Sequence, residues 1–158
     1  MVKILGKTSD SLFPLPVMLI SCADKKGNRN LITLAWVSKV CAEPPMLAVA
    51  IRPSRHSYNM IKESGEFVVN VPTESVIHQV DFCGNTSGRN FDKFKKTGLT
   101  PQPASKVKAP IVKECPANFE CVVHQSVRLG SHDIFIGEII AVQFDDSVVD
   151  AKGEIDYT

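Results

Sequence analysis

A short segment rich in arginine and serine is the strongest candidate for binding chemistry. Residues 52–57 read Arg-Pro-Ser-Arg-His-Ser and lie between a predicted strand and the start of a predicted helix. Unpaired backbone N–H groups and the helix dipole favour an anion at such a place. Two guanidinium groups and two hydroxyls could bind a phosphate monoester there through charge-assisted hydrogen bonds. The alternative is a solvated basic turn in which Ser57 is only the N-cap of the helix.

A second polar segment could supply further donors to the same anion. Residues 85–94 contain a Ser87-Gly88-Arg89 turn followed by Lys93. The segment has neither the GxGxxG nor the P-loop pattern, so it does not by itself indicate a nucleotide site. A plain polar loop is the alternative interpretation.

The only tryptophan lies in an apolar run that we predict to be one strand, residues 31–40. Alternation along that strand places Trp36 and Ser38 on one face, with Ala35 and Val37 on the other. Packing in a core or an interface is one explanation for a tryptophan in a strand. A flat aromatic ligand lying along the strand is the other.

His132 is the remaining candidate for chemistry, in a turn at residues 130–133 between two predicted strands. Its imidazole could titrate near neutral pH, or it could be an ordinary solvated loop residue. The four histidines and five cysteines show no CxxC or HxxxH spacing, so we predict no metal site. The spacing gives a Cys–His nucleophile pair no support but leaves it open.

Composition limits the class of protein. A chain of 158 residues with net charge +1 predicts one domain over residues 1–158, without a nucleic-acid footprint or a polybasic membrane patch. The start lacks the pattern of a signal peptide. The apolar stretch at residues 12–20 is broken by Pro14 and Pro16 and is too short to span a bilayer. Five scattered cysteines argue against a disulfide framework, and together these features predict a cytoplasmic protein.

The elements that must position these residues are mostly strands. Short apolar runs rich in β-branched and aromatic residues predict strands at 15–23, 31–40, 46–52, 67–71, 119–129 and 133–144. Helices are predicted from Ser57 to Gly65 and from Thr73, capped by its hydroxyl, to Gly84, with a further turn after Asn90. Residues 98–116 are rich in proline and lysine and predict a long surface loop. Many strands with few crossover helices favour an antiparallel barrel.

Taken together, the segments resemble the flavin-reductase-like FMN-binding family, especially its flavoredoxin branch. The matching blocks run in order over nearly the whole chain. They are Asn30-x-x-Thr33-x-Ala35-Trp36-x-Ser38, Glu43-Pro44-Pro45-Met46-Leu47, residues 51–57, residues 65–72, Ser87-Gly88-Arg89 with Asp92-Lys93-Phe94, Gly130-Ser131-His132, and Ile136-Gly137-Glu138.

The resemblance implies a mainly β, six-stranded antiparallel split β-barrel with a few short helices. It also implies a homodimer with FMN near the subunit interface. Asn30, Thr33, Trp36 and Ser38 are expected along the isoalloxazine ring and ribityl chain. Ser54, Arg55 and Ser57, with Ser87 and Lys93 from the second segment, are expected to bind the phosphate. His132 is expected close to the flavin ring, where the reductant approaches, as the catalytic residue.

Three functions fit this resemblance. The first is an electron carrier that passes electrons through bound FMN, as flavoredoxins do. The second is an NAD(P)H:flavin oxidoreductase that supplies reduced flavin to a partner. The third is a non-catalytic FMN-binding module. The sequence carries no motif for a nicotinamide site, and the electron donor, NAD(P)H or a redox protein, stays open.

Overall fold

The computed structural model describes residues 1–9 and 12–156. The predicted domain of residues 1–158 includes Asp10, Ser11, Tyr157 and Thr158, which lie outside the described residues. Within the described ranges, every helix is too short or too polar to cross a membrane.

Seven antiparallel strands build the main sheet, in the order β2-β1-β5-β8-β9-β4-β3, and two short strands, β6 and β7, pair separately. Along the described residues, the strands are β1 Met18–Ala23, β2 Arg29–Leu34, β3 Val37–Cys41, β4 Met46–Ile51, β5 Glu66–Val71, β6 Pro101–Gln102, β7 Ile111–Val112, β8 Ala117–Arg128 and β9 Asp133–Phe144. The predicted class, mainly β and antiparallel, is confirmed. Five of the six predicted strands occur within three residues of their predicted bounds.

The strand predicted at residues 31–40 is wrong, because the chain bends at Ala35 and Trp36. β2 pairs only with β1, whereas β3 pairs with β4 on the other edge of the sheet. The sheet therefore curls into a barrel, and Ala35 and Trp36 connect the strands at its two edges, β2 and β3. The backbone N–H of Ala50 in β4 donates to the carbonyl of Trp36 at 3.1 Å and helps to hold the bend. This bend accounts for seven strands where six were predicted.

In the part of the chain that the structure describes, three α-helices lie beside the barrel: α1 His56–Ser64, α2 Ile77–Asn85 and α3 Lys93–Thr97. Gly65 closes α1 in the left-handed conformation, with φ at 72°, as predicted. The predicted N-caps are wrong. The cap position of α1 is Arg55, and Thr73 precedes a short 3₁₀ turn and bonds Ser75 through its hydroxyl at 2.7 Å. The predicted turn after Asn90 is α3, which Asp92 caps by accepting from Lys95 N–H at 3.1 Å.

Large side chains fill the barrel interior, with Ile51, Phe67 and Phe135 almost fully buried. The β9 residue Gly137 lies so close to the ring of Phe67 that an added Cβ would come within 2.6 Å of it. A glycine is therefore needed where this ring crosses the strand. Such packing makes the barrel a firm support for the loops at its edge.

Residues 98–116 are not the surface loop that we predicted. They contain β6 and β7, and Val107, Ala109 and Ile111 are buried against the barrel. The fully buried carboxylate of Glu120 in β8 accepts the backbone N–H groups of residues 105, 106 and 107 at 2.8, 2.6 and 3.2 Å. The side-chain amide of Gln143 donates to the same carboxylate at 2.8 Å. The segment is therefore a packed layer fixed to the barrel by its backbone.

Candidate functional site

A cavity of about 150 Å³, here called the basic cavity, lies where α1 begins and α2 ends. Six of the predicted site residues line it: Asn30, Ser54, Arg55, Ser57, Ser87 and Lys93. The other lining residues are Ile32, His56, Thr86, Gly88 and Arg89. The structure therefore brings the two polar segments of the sequence together at one place.

The charge of the basic cavity has one sign. Arg55, Arg89 and Lys93 line it, and none of the carboxylates in the described ranges does. Hydroxyls of Ser54, Ser57 and Ser87 add neutral donors. Three cations and several hydroxyls around a small volume favour an anion with several acceptor oxygens.

Lys93, at the start of α3, is the buried member of this set. Its Nζ donates to the carbonyls of Leu31 at 2.8 Å and Cys83 at 2.7 Å. An ammonium group has three N–H donors, so one is left for a ligand. Burial lowers the pKa of Lys93, with a smaller contribution in the same direction from the charge of Arg55. An anion bound in the cavity would offset the free-energy cost of burying the positive charge of Lys93.

Ser57 is held inside the cavity and is not a solvated cap. It lies in the first turn of α1, is almost fully buried, and accepts from Asn30 Nδ2 at 2.8 Å. Gly88 closes over the same amide, because an added Cβ would come within 2.6 Å of the Asn30 side-chain carbon. The alternative of a plain basic turn does not explain this burial.

Arg89 is a lining residue that sequence reasoning did not assign to the site. Its Nη1 donates to the carbonyl of Ser54 at 2.9 Å, and its own N–H donates to Ser87 Oγ at 3.3 Å. Arg89 thus joins the second segment to the first. The Ser-Gly-Arg turn was the available signal for Arg89 in the sequence. Its partner Ser54, however, lies 35 residues away along the chain.

A second cavity of about 100 Å³, here called the histidine cavity, adjoins the basic cavity. It contains two more predicted site residues, Thr33 and His132. Ile32 and Arg55 line both cavities, so the two spaces are neighbours. The remaining lining residues are Leu34, Ala50, Arg52 and Gly84.

The ring of His132 is fixed by hydrogen bonds at both nitrogens. Arg52 Nε donates to His132 Nε2 at 3.3 Å, so Nδ1 carries the proton and donates to Ser131 Oγ at 2.9 Å. Burial lowers the pKa of His132, and the charges of Arg52 and Arg55 lower it further. Arg52 therefore faces the histidine cavity and does not join the residues predicted to bind the phosphate. The imidazole of His132 is neutral at pH 7.

Trp36 and Ser38 lie differently from the prediction. Trp36 is in the bend between β2 and β3, half exposed, with its ring 4.5 Å from that of His132 and tilted by 45°. It is therefore at the mouth of the histidine cavity rather than in mid-strand. Ser38 is exposed, and its hydroxyl donates to the Lys39 carbonyl at 3.2 Å. It lines neither cavity.

Two buried cysteines beside Lys93 are not nucleophiles. Cys22 is buried next to Asn30 and Met60, and burial raises its pKa to about 12. Burial also raises the pKa of Cys83 to about 11. These thiols stay protonated at neutral pH, and the thiolate is the reactive form. A Cys–His pair therefore receives no support at this site.

The fold and the site define an antiparallel β-barrel protein with a positively charged cavity and the neighbouring histidine cavity at the edge of the barrel. Within that class, the chain belongs to the family described as Flavin reductase like domain, which it matches over residues 10–156. The resemblance that the sequence motifs indicated is therefore confirmed.

Solved structures agree with this family. Flavoredoxin of Desulfovibrio vulgaris (Miyazaki F) is 35% identical, with a TM-score of 0.90 over 99% of this chain and 83% of that one. Flavoredoxin from Methanosarcina acetivorans is 34% identical, with a TM-score of 0.90 over 99% and 82%. A split barrel domain from Shewanella frigidimarina NCIMB 400 is 31% identical, with a TM-score of 0.82 over 90% and 73%. The split-barrel class and the flavoredoxin branch are both supported.

Proposed function

We propose that this chain binds FMN and passes electrons through the flavin, as its flavoredoxin relatives suggest. The observation that carries the proposal is the basic cavity, where six predicted residues from several parts of the chain converge on a volume of about 150 Å³. FMN ends in a phosphate monoester, and this group matches the charge and the donors of the cavity.

The phosphate is expected to receive hydrogen bonds from three directions. Ser54 and Arg55 approach from the loop before α1, Ser57 from its first turn, and Ser87 and Lys93 from the second segment. Asn30 supports this arrangement through its bond to Ser57. The predicted role of these residues as phosphate ligands is a proposal that the geometry supports.

The flavin ring is expected in the histidine cavity. That cavity adjoins the basic one through Ile32 and Arg55, and it contains Thr33 with the ring of Trp36 at its mouth. Aromatic side chains beside a planar ring suit stacking. Ser38 remains a proposed flavin contact; it is exposed on β3, outside the lining of the histidine cavity.

Bound FMN supplies the two-electron redox chemistry, and the protein supplies position and electrostatics. Arg52 and Ser131 hold the imidazole of His132 in one orientation and one tautomer. A neutral ring at this place leaves the guanidinium groups of Arg52 and Arg55 as the positive charges beside the flavin. We propose His132 as the residue that borders the reacting face, and Trp36 as its cover against water.

The absorbance spectrum of the purified protein and an anaerobic titration test this function. A flavin spectrum with FMN released on denaturation is expected, and an absence of flavin binding refutes the proposal. Rapid bleaching by NADH or NADPH selects the flavin oxidoreductase. Bleaching only by a reduced redox protein selects the electron carrier, and no reduction by either donor leaves an FMN-binding module.

We further propose a cytoplasmic homodimer with the flavin near the interface. Trp36, Val40 and Leu129 are each at least half exposed, and large apolar side chains of this kind are enriched at interfaces. A two-fold partner also covers the open strand edges of a small barrel. Sedimentation at equilibrium tests the assembly, and a monomer at all concentrations refutes it.

A further inference from the structure

An apolar groove with a volume of about 420 Å³, here called the α2 groove, lies along α2. Its apolar lining comes from Val17, which directly precedes β1, from Pro72, which follows β5, and from Ile77 and Val80 of α2. Ile77 is 58% exposed and Val17 is 45% exposed, so the groove is open to solvent. A contiguous apolar surface of this kind is typical of an interaction site.

The α2 groove and the histidine cavity share a wall, because Thr33 and Gly84 line both spaces. Thr33 Oγ1 donates to the carbonyl of Val80 at 2.6 Å and thereby fixes β2 to α2. An added Cβ on Gly84 would come within 3.3 Å of Thr33 Cβ, so the two elements are in close contact there. An occupant of the groove therefore lies next to the proposed site of the flavin ring.

The rim of the α2 groove is acidic. Glu74 and Asp81 line the groove, and among the residues that the structure describes no lysine, arginine or histidine does. Asn85 Nδ2 donates to Asp81 Oδ1 at 2.9 Å and holds that carboxylate in place. The groove therefore favours an occupant that is apolar and positively charged, and it disfavours an anion.

Residues 1–7, here called the N-terminal arm, match the groove in composition. The arm reads Met-Val-Lys-Ile-Leu-Gly-Lys, with four apolar side chains, two lysines and no carboxylate side chain. The apolar side chains are each at least 91% exposed: Met1, Val2, Ile4 and Leu5. A single protomer therefore leaves both the arm and the groove open to water, although burial of each is favourable.

We propose that the N-terminal arm of a second copy of this chain docks in the α2 groove, so that two protomers exchange arms. Ile4 and Leu5 then cover the apolar lining, and Lys3 meets the acidic rim. By two-fold symmetry, each arm lies against the wall of the other protomer's histidine cavity. The inference rests on the proposed homodimer and adds the contact that holds it together.

Cysteine cross-linking tests where the arm lies. Ile4→Cys or Leu5→Cys is combined with Ile77→Cys in a Cys41→Ser background, since Cys41 is half-buried and the other four native cysteines are buried. Mild oxidation is expected to give a disulfide-linked dimer with at least one of the two pairs, and far less of it when His78→Cys replaces Ile77→Cys. A disulfide within one protomer, or no cross-link in either pair, would overturn the inference.

Sedimentation equilibrium tests the contribution of the groove to the dimer. Ile77→Asp adds a carboxylate inside the groove and is expected to raise the dimer dissociation constant about tenfold or more, because each of two symmetric contacts loses its apolar partner. His78→Asp is the matched control, since His78 is exposed in the same turn but does not line the groove. It is expected to change the constant less than about twofold.

An unchanged constant in Ile77→Asp, or equal changes in both variants, would count against the docked arm while leaving the homodimer intact. A wild type that is monomeric at all concentrations overturns the proposed homodimer and this inference together. Neither result depends on the flavin, so binding of FMN is decided separately by the absorbance spectrum.

Discussion

Replacement of Lys93 by methionine tests whether one ammonium group both holds the fold and binds the phosphate. Lys93→Met keeps an unbranched side chain but removes all N–H donors. The carbonyls of Leu31 and Cys83, now 2.8 and 2.7 Å from Nζ, lose their bonds to the ammonium group. We therefore expect the free energy of unfolding and FMN affinity to fall together.

The magnitudes follow from the contacts. A buried carbonyl left without a hydrogen-bond partner costs about 1–3 kcal/mol. Two carbonyls lose their partner here, but the variant no longer has to bury the ammonium charge, and this gain offsets part of the loss. We expect flavin-free Lys93→Met to be about 1–3 kcal/mol less stable. Loss of one hydrogen bond to the phosphate is worth about 1.5–3 kcal/mol, or about a ten- to 150-fold weaker FMN complex.

Urea unfolding followed by circular dichroism measures the first effect, and titrations with FMN and riboflavin measure the second. Riboflavin lacks the phosphate, so its affinity is expected to change little. Arg55→Ala is the matched control, because Arg55 is an exposed lining residue whose loss affects FMN but not stability. Equal losses for riboflavin and FMN in Lys93→Met, or unchanged stability, would refute this reasoning.

Three further predictions concern the same site. Gly88→Ala forces a methyl group against Asn30, so FMN affinity is expected to fall at least tenfold (about 1.4 kcal/mol) in a fluorescence titration; wild-type affinity would contradict this. Burial, Arg52 and Arg55 lower the pKa of His132, so the unfolded chain binds more protons. The urea concentration at the midpoint of unfolding should therefore fall as the pH is lowered from 7.5 to 5.5, and it should fall less steeply in His132→Gln. The same dependence on pH in the wild type and in His132→Gln would exclude His132 as the cause. If the flavin site is shared in a homodimer, FMN affinity should weaken on dilution through the dimer range, and a monomer with full affinity would refute sharing.

Much of the basic cavity could be predicted because its signals are local. Residues 52–57 place charged and hydroxyl groups at the start of a helix, and that position favours an anion in any fold. The strands were predictable for the same reason, since alternation and β-branched residues report on burial along a short stretch. The resemblance then added the ligand, which local chemistry did not name.

The errors arise where partners distant in the chain decide the structure. Trp36 lies in a run with strong strand character, but closure of the barrel requires a bend there. Residues 98–116 look like a polar loop, yet Glu120 and a buried apolar strip hold them to the barrel. Arg89 is a site residue only because Ser54 lies beside it in space. A pattern read along the chain contains none of these contacts.

The attachment of residues 105–107 to Glu120 has a consequence for how this part of the chain can vary among relatives. Three of the bonds come from backbone N–H groups, which almost every amino acid possesses. The side chain of Lys106 is therefore free to drift in sequence, provided that proline, which has no N–H, is excluded there. Glu120 itself has no such freedom, since aspartate is one methylene shorter. Relatives should keep a glutamate opposite a segment in which the exposed position 106 varies while the buried position 107 stays apolar.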